Sequence, residues 1–126
     1  MKTIINTDKA PAPLGPYNQA ILAGDTLYIS GQIAINPETN QLITSGVEDE
    51  ARMVMKNLEA VLKAASMTFE NVVKSSIFLN DMADFAKINS IYGSYFDQQT
   101  APARETVAVD TLPKNVNVEI SMIAVR

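Results

Sequence analysis

Residues 45–65 constrain the fold most. Val47, Ala51, Val54, Leu58, Val61, Leu62 and Ala65 recur at helical spacing, while Arg52, Lys56, Glu59 and Lys63 fall on the other side. The pattern predicts an amphipathic helix with a single stripe to bury. Ser45 followed by Glu48 is a capping-box pattern at its start. A second helix is predicted after a cap at Asp81 or Asp84, with Phe85, Ile88, Tyr92 and Tyr95 or Phe96 as its apolar stripe. Those aromatics read as core. Gly93 falls within this helix, at a cost of about 1 kcal/mol relative to Ala.

The remaining periodic segments read as strands. "KTIIN" is a short first strand, and "NQAILAGDTLYISGQI" is two strands joined at Gly24-Asp25, a two-residue hairpin signal. Gly31, after Ser30, suggests a bulge or a close backbone approach. "NVVKSSIFLN" (71–80) is rich in β-branched and aromatic residues. Residues 103–109 and 116–125 flank "DTLPKN" and are expected to pair as a final hairpin. The loop candidates are 8–16, 36–41 and 111–115. The order is βββαβαββ, an α+β chain read as one domain over residues 1–126. Two helices with one stripe each cover one sheet face only. The other face is predicted to bury against further subunits.

Composition narrows the chemistry. The chain has no Cys and no His. Disulfides, thiolate nucleophiles, Ser-His-Asp arrangements and the usual zinc ligands are therefore excluded. Net charge is −4, and the ten Lys and Arg are scattered. That balance argues against nucleic acid as a partner. No stretch approaches a membrane span and the N-terminus has no signal-like apolar run, so a cytoplasmic location with no membrane partner is expected.

Arg104 opens the strand "RETVAV". Suppose Val107 and Val109 share the core face with Val116, Val118, Ile120 and Met122. Alternation then puts Arg104, Thr106 and Ala108 on the same opposite face as Asn117, Glu119 and Ser121. Two readings of Arg104 and Glu119 stand open. One is a cross-strand ion pair, which contributes at most about 1 kcal/mol when exposed. The other is a bidentate arginine fork for a substrate carboxylate, with Glu119 acting on a water or proton beside it.

Several segments together resemble the Rid (YjgF-like) family, most closely its RidA branch. They are "APAPLGPYNQA" (10–20), "LYISGQI" (27–33), "NLEAVLKAA" (57–65), "VVKSSIFLNDMADFAKINSIY" (72–92), "PAR" (102–104) and "LPKNVNVEISMIAVR" (112–126). The resemblance implies a chorismate-mutase-like mixed β-sheet with two helices packed on one face. It implies a homotrimer with active sites between subunits, and no metal or organic cofactor. It implies hydrolysis of 2-imino acids and their enamine tautomers, such as 2-iminobutanoate and 2-iminopropanoate, to 2-keto acids and ammonia. By the same resemblance Arg104 holds the substrate carboxylate and Glu119 is the acid–base group. Tyr17, Ser30, Gly31, Asn89 and Thr106 complete the substrate-binding set. Two departures stand out. Ala101 replaces a frequent Phe, and Glu105-Thr106 replaces a frequent Ser-Cys or Thr-Cys; alternation should point Glu105 away from Arg104. The rival readings are a trimer that binds small carboxylates without turnover and, more remotely, an RNA-cleaving role.

Overall fold

A computed structural model describes all residues from Met1 to Arg126. Its main sheet has six strands: β1 (Lys2–Ile5), β2 (Ala20–Ala23), β3 (Thr26–Gln32), β6 (Val72–Leu79), β7 (Ala103–Ala108) and β8 (Val118–Val125). Their spatial order is β1-β2-β3-β8-β6-β7. All neighbours are antiparallel except β6 and β7, which run parallel. A two-stranded ribbon, β4 (Ile35–Asn36) with β5 (Gln41–Leu42), precedes the long helix α1 (Val47–Ala64). Helix α2 (Phe85–Gly93) connects β6 to β7.

The expected α+β layering holds. Helix α1 buries Ala51, Val54, Met55, Leu58, Val61 and Leu62 against Leu27, Ile29, Ile77, Leu79, Val118, Ile120, Met122 and Ala124 of the sheet, in one apolar cluster. Full burial of each such aliphatic chain contributes about 1.5–3 kcal/mol. Ile88 and Tyr92 of α2 join the same cluster, with Phe85, Tyr95 and Phe96 packed at its margin. No helix is long and apolar enough to cross a membrane.

Local details correct the helix starts. The predicted capping box at Ser45 does not form. Gly46 occupies the N-cap with φ 124°, a conformation that favours glycine, and Ser45 Oγ donates instead to Asp49 Oδ2 at 2.7 Å. Of the two cap candidates for α2, Asp84 holds the N-cap position without a side-chain hydrogen bond, while Asp81 caps a short turn at 82–84, accepting from the Ala83 N–H. Gly93 is the last residue of α2, where its lack of helix propensity matters little.

The larger correction concerns the C-terminal strands. β7 and β8 do not form a hairpin; β6 lies between them. The reason is burial. Alternate residues of β8 (Val118, Ile120, Met122, Ala124) are all buried and demand a central place, which β3 and β6 supply. β7 has no buried residue and goes to the edge. The faces change accordingly. Arg104 aligns with Ser75 and Thr106 with Ile77, on the helix-covered side. Val107 aligns with Phe78, which aligns with Glu119, on the open side. Arg104 and Glu119 therefore emerge on opposite faces of the sheet. Glu105 does point away from Arg104, as alternation requires.

The open face carries a row of apolar side chains beside the polar Lys74, Ser76, Glu105 and Ser121. Ile21, Ile123 and Phe78 lie on it half-buried, and Ile4 and Tyr28 are 53% and 51% exposed.

Candidate active site

Glu119 sits near the start of β8, where it lines a cleft of about 280 Å³ with Leu14, Tyr17, Gly31, Ile33, Ile35 and Lys114, among others. Its carboxylate makes no ion pair within the chain, and burial alone pushes its pKa above the usual carboxylate range. Gly31 explains how it fits. Between Ile29 and Gln32 the β3–β8 register shifts, so Ser30 and Gly31 together face one position of β8. A Cβ on Gly31 would lie 2.6 Å from Glu119 Oε2 and 2.8 Å from Cδ. Both predicted roles of this glycine, bulge and close approach, are realised; the atoms it admits belong to Glu119. Ser30 Oγ donates to the Asn18 carbonyl at 2.6 Å, tying the bulge to the segment after Tyr17.

The loop 8–16 forms the outer wall. Gln19, only 2% exposed, shares its side-chain amide among the carbonyls of Thr7, Ala10 and Pro11 and accepts from the Thr7 N–H at 2.6 Å. Tyr17 folds back so that its hydroxyl accepts from the Leu14 N–H at 3.3 Å. The ring is half exposed and lines the cleft.

Arg104 stands elsewhere, against α2. Its guanidinium donates to Asn89 Oδ1 at 2.6 Å and lies over the rings of Tyr92 and Phe85, 5.2 and 5.8 Å from their centroids. Tyr92 is itself fixed by donating to the fully buried Ser75 hydroxyl at 2.8 Å, and its burial raises its pKa. Thr106 lies two residues along the same face, and its Oγ1 is buried without a partner. The arginine is thus braced in orientation, with its remaining N–H groups free to meet an anion. On the opposite face Glu105 accepts from Ser76 and pairs with Lys74 Nζ at 2.8 Å; these contacts hold its carboxyl below the usual range.

The sequence-predicted residues therefore form two groups. Tyr17, Ser30, Gly31 and Glu119 gather at one end of β3 and β8. Asn89, Arg104 and Thr106 gather at the β7–α2 edge. Two strand spacings and three residues of offset put the α-carbons of Arg104 and Glu119 roughly 14 Å apart. An ion pair between them within one chain is ruled out. No cluster of three or more acidic side chains is placed to hold a metal ion. Sequence reasoning missed Gln19, Glu50 and Asn57, three buried polar residues behind the cleft. The available signal was polarity inside an apolar pattern: Glu50 and Asn57 interrupt the stripe of α1.

A family model described as endoribonuclease L-PSP matches residues 7–126. The chain belongs to the Rid (YjgF-like) family. A RutC family protein of Synechocystis is 55% identical over 97% of this chain and 95% of its own length. The 2-iminobutanoate/2-iminopropanoate deaminase of mouse is 47% identical over 100% of this chain and 93% of its own length. Among solved structures, E. coli TdcF with bound serine superposes with a TM-score of 0.92 at 40% identity, covering 98% of each chain. A Thermotoga maritima protein described as a putative endoribonuclease reaches 0.96 at 43% identity, over 100% of this chain and 98% of its own.

Proposed function

We propose that this Rid-family chain hydrolyses 2-imino acids such as 2-iminobutanoate and 2-iminopropanoate to 2-keto acids and ammonia. The reaction takes place at clefts where Arg104 of one subunit faces Glu119 of another in a homotrimer. The observation that carries the reading is the unpaired, half-buried Glu119 carboxylate lying over Gly31 in an apolar cleft. Full-length similarity to proteins named as such deaminases supports the substrate class. The opposed faces of Arg104 and Glu119 support assembly, because a small imino acid is too short to engage both within one chain. The exposed apolar side chains of the open sheet face, such as Ile4 and Tyr28, give that assembly its driving force.

Arg104, braced by Asn89 and Tyr92, grips the substrate carboxylate with two charge-assisted hydrogen bonds and fixes the iminium carbon. Water attacks that carbon and its proton passes to Glu119, while the C=N π pair moves to nitrogen. Protonated Glu119 then returns the proton to the nitrogen of the carbinolamine. The C–N bond breaks as the hydroxyl proton goes to Glu119, the carbonyl forms and ammonia leaves. Glu119 hands this last proton to ammonia and is regenerated as carboxylate. Its raised pKa brings the two protonation states closer to balance near neutrality. Tyr17 packs over the alkyl group of the substrate.

Ammonia release from 2-iminobutanoate, generated in situ by a threonine dehydratase, tests the reading. Arg104→Lys keeps the charge but loses the planar grip and its contacts with Asn89 and Tyr92. It should remain folded with turnover reduced by at least about tenfold. Near-normal turnover and keto-acid affinity in that variant would make the arginine structural. Tight binding of 2-keto acids by the wild type with no ammonia release would favour the carboxylate-binding alternative, which the serine bound to TdcF also suggests.

A further inference from the structure

Two buried polar side chains of α1 have no part in the chemistry described above. Glu50 is 4% exposed and Asn57 is fully buried. They lie seven residues apart, two helical turns, and so occupy the same face as Ala51, Val54 and Leu58. An apolar residue at either place would continue the stripe, and a buried carboxylate is costly to desolvate. Their partners show what they hold. Glu50 Oε1 accepts from the Asn117 backbone N–H at 3.1 Å, and Oε2 from Asn117 Nδ2 at 2.5 Å. Asn57 Nδ2 donates to the carbonyls of Ile33 and Ile35, at 3.3 and 2.9 Å. Ile33 and Ile35, which follow β3, line the Glu119 cleft, and so do Pro113 and Lys114, which precede β8. Asn117 ends the segment that carries Lys114 and enters β8 two residues before Glu119. In that segment Lys114 and Asn115 both have left-handed backbone, φ 57° and 55°, which a lysine rarely adopts unforced.

We infer that Glu50 and Asn57 are positioning residues, which clamp the two walls of the cleft from behind and so fix where the Glu119 carboxylate stands. This rests on the proposed reading of Glu119 as the acid–base group. α1 contributes no charge to the cleft itself: the titratable groups facing Glu119 there are Lys114 and Tyr17. The clamp therefore acts through geometry. Releasing either wall admits water and lets the carboxylate swing away from its seat over Gly31.

The test uses the intact protein with selectively 13C-labelled glutamate, Glu119→Gln serving to assign the Glu119 carboxyl signal. Glu50→Ala is expected to lower kcat on 2-iminobutanoate by about tenfold or more, with KM changed less than about twofold, because Arg104 is untouched. The Glu119 titration midpoint should fall toward the ordinary carboxylate range as water enters. Glu50→Gln should restore most of both properties, since the Asn117 amide can turn to meet the new NH2 group. If Glu50→Ala does not fold, Asn117→Ala removes the side-chain half of the clamp alone and should shift both readouts the same way by less. A folded variant with a lower melting temperature but unchanged kcat and unchanged Glu119 titration would reduce Glu50 to a structural role and overturn the inference. Should the wild type release no ammonia, the deaminase reading fails by itself. The carboxyl titration still decides the clamp.

Discussion

At the scale of single residues, Glu119 sets activity against stability. Its folded pKa lies above the ordinary value because of burial. In the interval between the two values the native state holds the extra proton, so stability falls as pH rises through that window and stays reduced above it. Glu119→Gln should therefore melt higher than wild type at neutral pH. The gain should vanish once pH drops below the ordinary carboxylate range, and turnover should be lost throughout. Paired melting curves across acid and neutral pH check this; a lower melting point for the variant at neutral pH would contradict it. Gly31→Ala belongs to the same scale. The added Cβ meets the mobile end of Glu119 rather than backbone, so the fold should survive while the carboxylate is displaced. Misplacement of about 1 Å can cost roughly 100-fold in rate, and steady-state kinetics on a folded Gly31→Ala protein would reveal a loss of at least about tenfold.

At the scale of elements, the seating of α2 on the sheet matters because Arg104 is read off that junction. The Tyr92 hydroxyl is the side-chain partner of the fully buried Ser75 hydroxyl. Tyr92→Phe keeps the ring under Arg104 and strands the serine, which should cost about 1–3 kcal/mol. Adding Ser75→Ala removes the stranded group and should recover part of that loss. Denaturant unfolding of the two single variants and the double variant gives the coupling; strictly additive losses would show that the pair is not coupled. The same element scale explains the failed hairpin. A six-residue "DTLPKN" loop between two alternating segments looks like a hairpin connection, but local pattern carries no record of which strand must be central. Burial of β8 on one whole face decided that, and it drew β6 in beside it.

At the scale of the whole molecule, opposed faces make a sharp prediction. Arg104→Lys and Glu119→Gln should each be nearly inactive alone. If every site takes its arginine from one subunit and its glutamate from the next, unfolding, mixing and refolding the two variants should regenerate intact sites. Random mixing in equal amounts gives about a quarter of wild-type activity in a closed ring of this kind. No recovery, in mixed oligomers whose formation is verified by mass spectrometry, would place the whole site within one chain. Light scattering should report a trimer. Tyr28→Glu on the apolar face should give folded monomers without turnover, since the half-site around Glu119 then lacks its arginine.

What the residues determined by themselves is local and periodic. The α1 stripe, the Gly24-Asp25 turn and the strand read at 71–80 follow from side-chain spacing and backbone freedom, which act over a few residues. The absence of Cys and His likewise fixed the available chemistry before any fold was known. The family motifs pointed to Arg104 and Glu119 individually. Their relation did not follow, because the face of a strand depends on its neighbours: the assumption that Val107 turned inward reversed the whole of β7. Only the tertiary structure showed Val107 on the same open side as Glu119, with Phe78 between them. Only it showed Arg104 stacked on α2 and the buried Glu50 and Asn57 of α1 bonded to Asn117 and Ile35. Those facts arise from contacts between segments distant in sequence, where burial of the sheet as a unit outweighs the preference of any one strand.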